Sequence, residues 1–166
     1  MKLKKTILGF FPILLVLSVS ALLGQGKDVL IGTWKVDFEK SKADPPPPGP
    51  RPQSVMRTFE DRGGGVLVAT TETINADGKK GLVVVVFKRD GKPYPIATTG
   101  SGQNLAMMAF KKIDAHNNEH TTTVDGKVVN TGTEKISADG KTYVEERKGT
   151  NPRGIAFDNI TVWERQ

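Results

Sequence analysis

His116 and His120 are the only histidines of the 166-residue chain, and a spacing of four would place two imidazoles on one helix face, where they could bind zinc. Their surroundings argue otherwise. Ile113-Asp114-Ala115-His116-Asn117-Asn118 reads as a turn entering a strand, so the rings should diverge into a solvated loop and no metal site is expected. Nucleophilic catalysis finds no motif: there is no cysteine and no Gly-x-Ser-x-Gly, and Ser101, between Gly100 and Gly102, reads as a loop serine. Carboxylates are plentiful, but most stand in turns, and no pair of the glycosidase kind can be picked out. The residues left to meet a small molecule are mostly apolar: Trp34, Phe59, Phe87, Tyr94, Met107, Phe110, Tyr143 and Trp163. Each would serve equally as core. Arg57 and Arg147, in mid-strand, would pair with a ligand carboxylate if they point inward and are surface charge if they point outward.

Turns organise the elements that position these residues. Thr71-Glu72-Thr73-Ile74-Asn75-Ala76-Asp77-Gly78-Lys79 returns as Thr133-Glu134-Lys135-Ile136-Ser137-Ala138-Asp139-Gly140-Lys141, and Asp-Gly-Lys occurs twice more, at Asp90-Gly91-Lys92 and Asp125-Gly126-Lys127. Asp-Gly supplies the positive φ angles of a two-residue type I′ hairpin, because Gly has no Cβ to clash and Asp tolerates the left-handed region. Such turns predict consecutive strands laid antiparallel.

Gly32-Thr33-Trp34-Lys35-Val36-Asp37-Phe38 alternates apolar and polar residues with the period of a half-buried strand. The Pro-rich run from 41 to 53 cannot donate ladder hydrogen bonds and prefers an extended path, so it is read as a stiff loop joining strands one and two. Strands are then expected over Ser54 to Glu60, Val66 to Asn75, Leu82 to Phe87, a short edge or rim piece around Tyr94, Leu105 to Phe110, His120 to Val124, Val128 to Ile136, Thr142 to Lys148 and Ile160 to Arg165. Gly63-Gly64-Gly65 is a hairpin loop, since no helix follows and no Gly-Lys-Ser/Thr signature exists. No stretch has convincing helical periodicity. An antiparallel meander of this many strands must close on itself or split into stacked sheets. The expectation is an all-β, up-and-down barrel of 8–10 strands in which the two Trp-bearing end strands pair.

Residues 1–26 carry Lys2, Lys4 and Lys5 before an apolar run and then small residues, which reads as a secretory signal peptide, the alternative being an uncleaved anchor. Its removal lowers Lys+Arg from 24 to 21 against 18 Asp+Glu, so the net charge falls from +6 to +3. The remaining charge is scattered, which argues against nucleic acid. Any membrane contact would run through the leader. About 140 residues remain, one domain's worth.

Gly32-Thr33-Trp34-Lys35 resembles the Gly-x-Trp signature of the calycins, the lipocalins and fatty-acid-binding proteins. The resemblance implies that Trp34 plugs the closed end of the barrel and that Arg165, from the last strand, covers it. Gly32 to Lys42, Asp90 to Pro95, Gly126 to Val129, Ser137 to Thr142 and Lys148 to Asn151 are similar to small exported lipocalin-like proteins of soil bacteria. Three functions follow as expectations: non-enzymatic binding of a small hydrophobic molecule without a cofactor, an envelope interaction module using the Pro-rich loop, or a barrel enzyme of the isomerase type.

Overall fold

The computed structural model describes residues 28–99, 105–151 and 153–166. The proposed leader and Ser101 lie outside them. Ten strands follow in order: β1 (Gly32–Asp44), β2 (Ser54–Asp61), β3 (Leu67–Ile74), β4 (Lys80–Phe87) and β5 (Asp90–Thr98), then β6 (Ala106–Lys112), β7 (Asn117–Val124), β8 (Lys127–Ile136), β9 (Thr142–Thr150) and β10 (Ala156–Arg165). Each pairs antiparallel with its chain neighbours, and β1 pairs with β10, so the sheet closes into an all-β barrel. Closure removes the exposed sheet edges that an open meander would leave.

The turns differ from the expectation in detail. Only Asp125-Gly126 is a two-residue link with both residues left-handed, at φ 49° and 78°. At Asp77-Gly78 and Asp139-Gly140 only the glycine is left-handed, and each closes a longer loop, with Gly78 N–H bonded to Asn75 O and Gly140 N–H to Ser137 O. The reversal from β4 to β5 centres on Asp90-Gly91, as the pairs Val83–Thr98, Val84–Ala97 and Val85–Ile96 require, but there too only the glycine is left-handed, at φ 78°, and the ladder between β5 and β6 shifts register between Asp90 and Pro93. Strand β5 is not an edge: it pairs with β4 through Val83–Val85 and with β6, where Pro93 stands opposite Ala109 and Pro95 opposite Met107, and both prolines lie outside the β4 register. Strand β1 runs on to Asp44 past an irregularity between Asp37 and Lys42, so the Pro-rich loop proper starts at Pro45.

Alternation along the strands divides inside from outside. Trp34, Phe59, Leu67, Val85, Phe87, Phe110, Ile136, Tyr143 and Trp163 form one buried cluster with Leu30. At the end where β1 begins, Trp34 donates its Nε1–H to Leu30 O at 2.9 Å, and the Arg165 guanidinium lies 4.1 Å from the Trp34 ring centroid. Arg165 also donates to Ile31 O at 2.9 Å, to Gly140 O at 2.5 Å and to Val29 O. Tryptophan and its covering arginine therefore seal this end, and the Pro-rich loop stands at the other.

Candidate functional site

The open end is built from β1, β2, β9, β10 and residues 47–52 of the Pro-rich loop. They border a solvent-open cavity of about 680 Å³. Val36, Phe38, Val55, Pro47 and Pro50 give it an apolar wall, and Trp163 lies on the same wall. Its deeper, polar part is Arg57, Thr71, Glu145, Arg147 and Asn159. Proline suits the wall because its fixed φ holds the loop extended with little entropy left to lose. Gln53 anchors the loop's end, N–H to Ile74 O at 2.8 Å and side-chain amide to Ala76 O at 3.1 Å.

Arg57 reaches into the barrel with its side chain 18% exposed. Its Nε donates to Thr71 Oγ1 at 3.0 Å, its Nη1 to the Tyr143 hydroxyl at 3.0 Å and to Glu145 Oε2 at 3.2 Å, and the guanidinium sits 4.4 Å from the Trp163 ring centroid. The register explains these meetings. Arg57 pairs with Thr71 across β2–β3, while Tyr143, Glu145 and Arg147 occupy alternate positions of β9 and so share the inner face. Burial opposes the Arg57 charge, but Glu145, Tyr143 and Glu134 outweigh it and raise the group above its ordinary value.

Behind the pair lies a second polar group. Glu134 stands directly opposite Glu145 across β8–β9, and His120 opposite Gly132 across β7–β8. Exposure is 3% for His120, 2% for Glu134 and 6% for Glu145. One ligand-type atom from each lies within 4.8 Å of the other two. Burial pushes the Glu134 carboxyl up, against the pull of His120. Burial acts on Glu145 in the same sense, but Arg57, Arg147 and His120 override it and hold Glu145 below its ordinary value. Burial, together with the Glu134 and Glu145 charges, raises the Tyr143 hydroxyl well above 10.0 despite Arg57.

His120 Nδ1 is 3.2 Å from Glu134 Oε1, yet it is buried without an aligned hydrogen bond, as are Glu134 Oε2 and Asn118 Nδ2. The short separation and the missing bond are reconciled by direction: the atoms are close but not in line.

The structure redistributes the residues singled out from sequence. Arg57, Arg147 and Trp163 border the cavity. Phe59, Phe87, Phe110 and Tyr143 are packed core beneath it, and Trp34 is the plug. Tyr94 packs against the core and donates its hydroxyl to Asp90 at 3.1 Å. Met107 is corrected. It lies one position from Met108 and three from buried Phe110, and strand alternation turns it to the outer face. His120 is corrected too: it is a buried strand residue, its ring stacked with Phe110 at 6.1 Å between centroids and 19° between planes. His116 alone keeps the turn position, with Nδ1 3.1 Å from Ile136 O. Glu134 and Glu145 were missed. Their signal was present: Ile136 and Tyr143 flank one hairpin, and a step of two residues back and forward reaches the two glutamates on the same face.

No protein-family model matches the chain, and no curated protein matches it. Among solved structures, Rv2717c from M. tuberculosis is similar at 16% identity over 83% of this chain and 93% of that one, with a TM-score of 0.53. EF1p2_mFAP2b bound to DFHBI aligns at 11% identity, over 83% and 94% of the two chains, with a TM-score of 0.41. A redesigned beta barrel, mFAP1, bound to DFHBI, aligns at 13% identity over 82% and 95%, with a TM-score of 0.35. At 16% identity the likeness to Rv2717c bears on the fold alone. The chain is a closed antiparallel barrel of ten strands.

Proposed function

We propose that the protein is an exported lipocalin-like carrier that holds a small apolar molecule ending in a carboxylate, without chemical turnover. The observation carrying this reading is the cavity of about 680 Å³ between the Pro-rich loop and the inner face of β1, β2, β9 and β10, a size usual for small-molecule sites. Its wall is apolar where the loop covers it, and each Å² of ligand surface taken from water there is worth about 25 cal/mol. The polar end has a partner. Among the described residues no carboxylate lies within salt-bridge distance of Arg147, whose guanidinium rests 5.7 Å from the Phe157 ring centroid. Asn159 Oδ1 and Trp163 Nε1, from cavity-lining residues, are buried without hydrogen-bond partners.

The envelope-interaction reading loses ground because the Pro-rich loop is already engaged as a wall. An isomerase-type reading has one observation in its favour, the facing Glu134 and Glu145 with shifts of opposite sign, a pattern that separates acid from base in active sites. Glu134 does not border the cavity, however, and a substrate there would meet Glu145 only. Export rests on the apolar leader sequence.

The test is organic extraction of the purified protein followed by mass spectrometry, with melting curves across matched carboxylic acids and alcohols. A carried acid, or a melting shift for acids above their alcohols, is expected. No extracted molecule together with no shift overturns the carrier. N-terminal sequencing of secreted material checks export, and a protein that keeps residue 1 and stays in the cytoplasm overturns it.

A further inference from the structure

The barrel interior carries a polar cluster that the carrier reading leaves unused. We infer that His120, Glu134 and Glu145 form a binding site for one divalent transition-metal ion of the Zn²⁺ class, with its open side toward the cavity. Three neighbouring strands bring the donors together: β7 supplies His120, β8 Glu134 and β9 Glu145.

The geometry is near what such an ion needs. Donors at about 2.1 Å from a tetrahedral zinc lie about 3.4 Å from one another. His120 Nδ1 and Glu134 Oε1 are 3.2 Å apart, and Glu145 offers an oxygen within 4.8 Å of both other donors. Binding would require the Glu145 carboxylate to turn toward the other two donors.

Unsatisfied buried atoms point to a missing partner. His120 Nδ1 and Glu134 Oε2 are buried without a hydrogen bond, and such atoms are costly unless something satisfies them. A cation at the shared point supplies those contacts.

The imidazole is fixed beforehand. Its ring stacks on Phe110, and a Cβ on Gly132 would collide with it, so the glycine provides the room the ring occupies. The donor set selects the ion. One imidazole nitrogen and two carboxylates suit Zn²⁺ or its first-row neighbours, whereas Ca²⁺ takes six to eight oxygens. Glu145 also borders the cavity while the other two lie behind it, so a fourth position opens on that side. This inference stands apart from the carrier reading and survives its failure.

The experiment titrates Zn²⁺ into the chelator-treated full-length protein by calorimetry, with Mg²⁺ and Ca²⁺ as comparisons. One equivalent of Zn²⁺ is expected, bound at least 100-fold more tightly than either comparison ion. Glu134→Gln keeps the shape but loses an anionic donor and is expected to weaken Zn²⁺ at least 30-fold; His116→Ala, at the surface turn, is expected to change nothing. X-ray absorption of the Zn²⁺-loaded wild type needs no variant and is expected to show one imidazole with oxygen donors. Absence of stoichiometric binding, binding lost in His116→Ala but kept in Glu134→Gln, or a spectrum without imidazole overturns the site.

Discussion

Arg57 and Glu145 meet inside the barrel at 3.2 Å, a guanidinium from β2 and a carboxylate from β9 that the closed sheet brings together across the interior. Their chain separation is 88 residues, so the contact exists only once the barrel has closed. Tyr143 and Thr71 take further Arg57 protons, and Trp163 takes the guanidinium face. The group behaves as a polar rivet between two walls, one that is costly to leave half-made.

Removing one half should therefore hurt more than removing both. Arg57→Met leaves Glu145 buried and unpaired and is expected to cost about 3 kcal/mol. The double variant Arg57→Met, Glu145→Met replaces the pair by apolar volume and should recover most of that loss. Urea unfolding of the two singles and the double checks the cycle. A loss in the double equal to the sum of the two single losses would show that the pair is not coupled.

The repeated nonapeptide shows how much of this interior was legible. Thr71-Glu72-Thr73-Ile74 and Thr133-Glu134-Lys135-Ile136 match at three of four residues, yet they face opposite ways. Thr71 points inward to Arg57 and Glu72 is exposed, whereas Glu134 and Ile136 are buried. Alternation alone fixes which residues share a face, not which face is inside. That is decided by the partners: Leu67 opposite Phe87 sets the phase of β3, and Ile136 opposite Tyr143 that of β8. The closed meander and the Trp34–Arg165 seal could be read from turn residues and the Gly-x-Trp likeness. The polar interior could not, because three of its members come from strands whose phase depends on pairing, and because a buried histidine and a solvated one look alike in sequence.

Gly132 is the position where that interior tolerates no addition. A Cβ there would fall on the His120 ring and 2.5 Å from the backbone oxygen of Glu146, which cannot move aside. Gly132→Ala is expected to destabilise the fold by about 1–3 kcal/mol. Gly81→Ala, whose Cβ would meet only Thr73 Cβ at 3.8 Å, makes the comparison on another strand and should cost less. Thermal melts of the two variants decide it, and equal losses would deny the close packing of His120.

Part of the acid sensitivity should come from the sealed end. Burial works to raise the Asp28 carboxyl, but Arg89, the Leu30 N–H and Lys112 outweigh it and hold the group below its ordinary value of 3.8. A carboxylate depressed in the folded state stabilises it above the unfolded value, and that contribution is lost as pH falls through the folded one. Stability is thus expected to decline below 3.8, and Asp28→Asn should flatten this acid limb while lowering stability at neutral pH. Melting temperature against pH for both proteins reads the difference, and parallel curves would remove Asp28 from the account.

Arg147 gives the carrier reading its sharpest consequence. It stands beside the cavity with its guanidinium near Phe157, whereas Arg57 is committed to Glu145, Tyr143 and Thr71. A ligand carboxylate should therefore pair with Arg147, in a charge-assisted bond worth about 1.5–3 kcal/mol. Arg147→Ala is expected to weaken an aliphatic acid roughly tenfold or more while leaving the matching alcohol unchanged. Fluorescence suits the measurement, since Trp163 borders the cavity and Trp34 is buried at the far seal. If acid and alcohol lose affinity equally, the arginine supports the wall and does not recognise the charge, and the carboxylate must be sought elsewhere in the cavity.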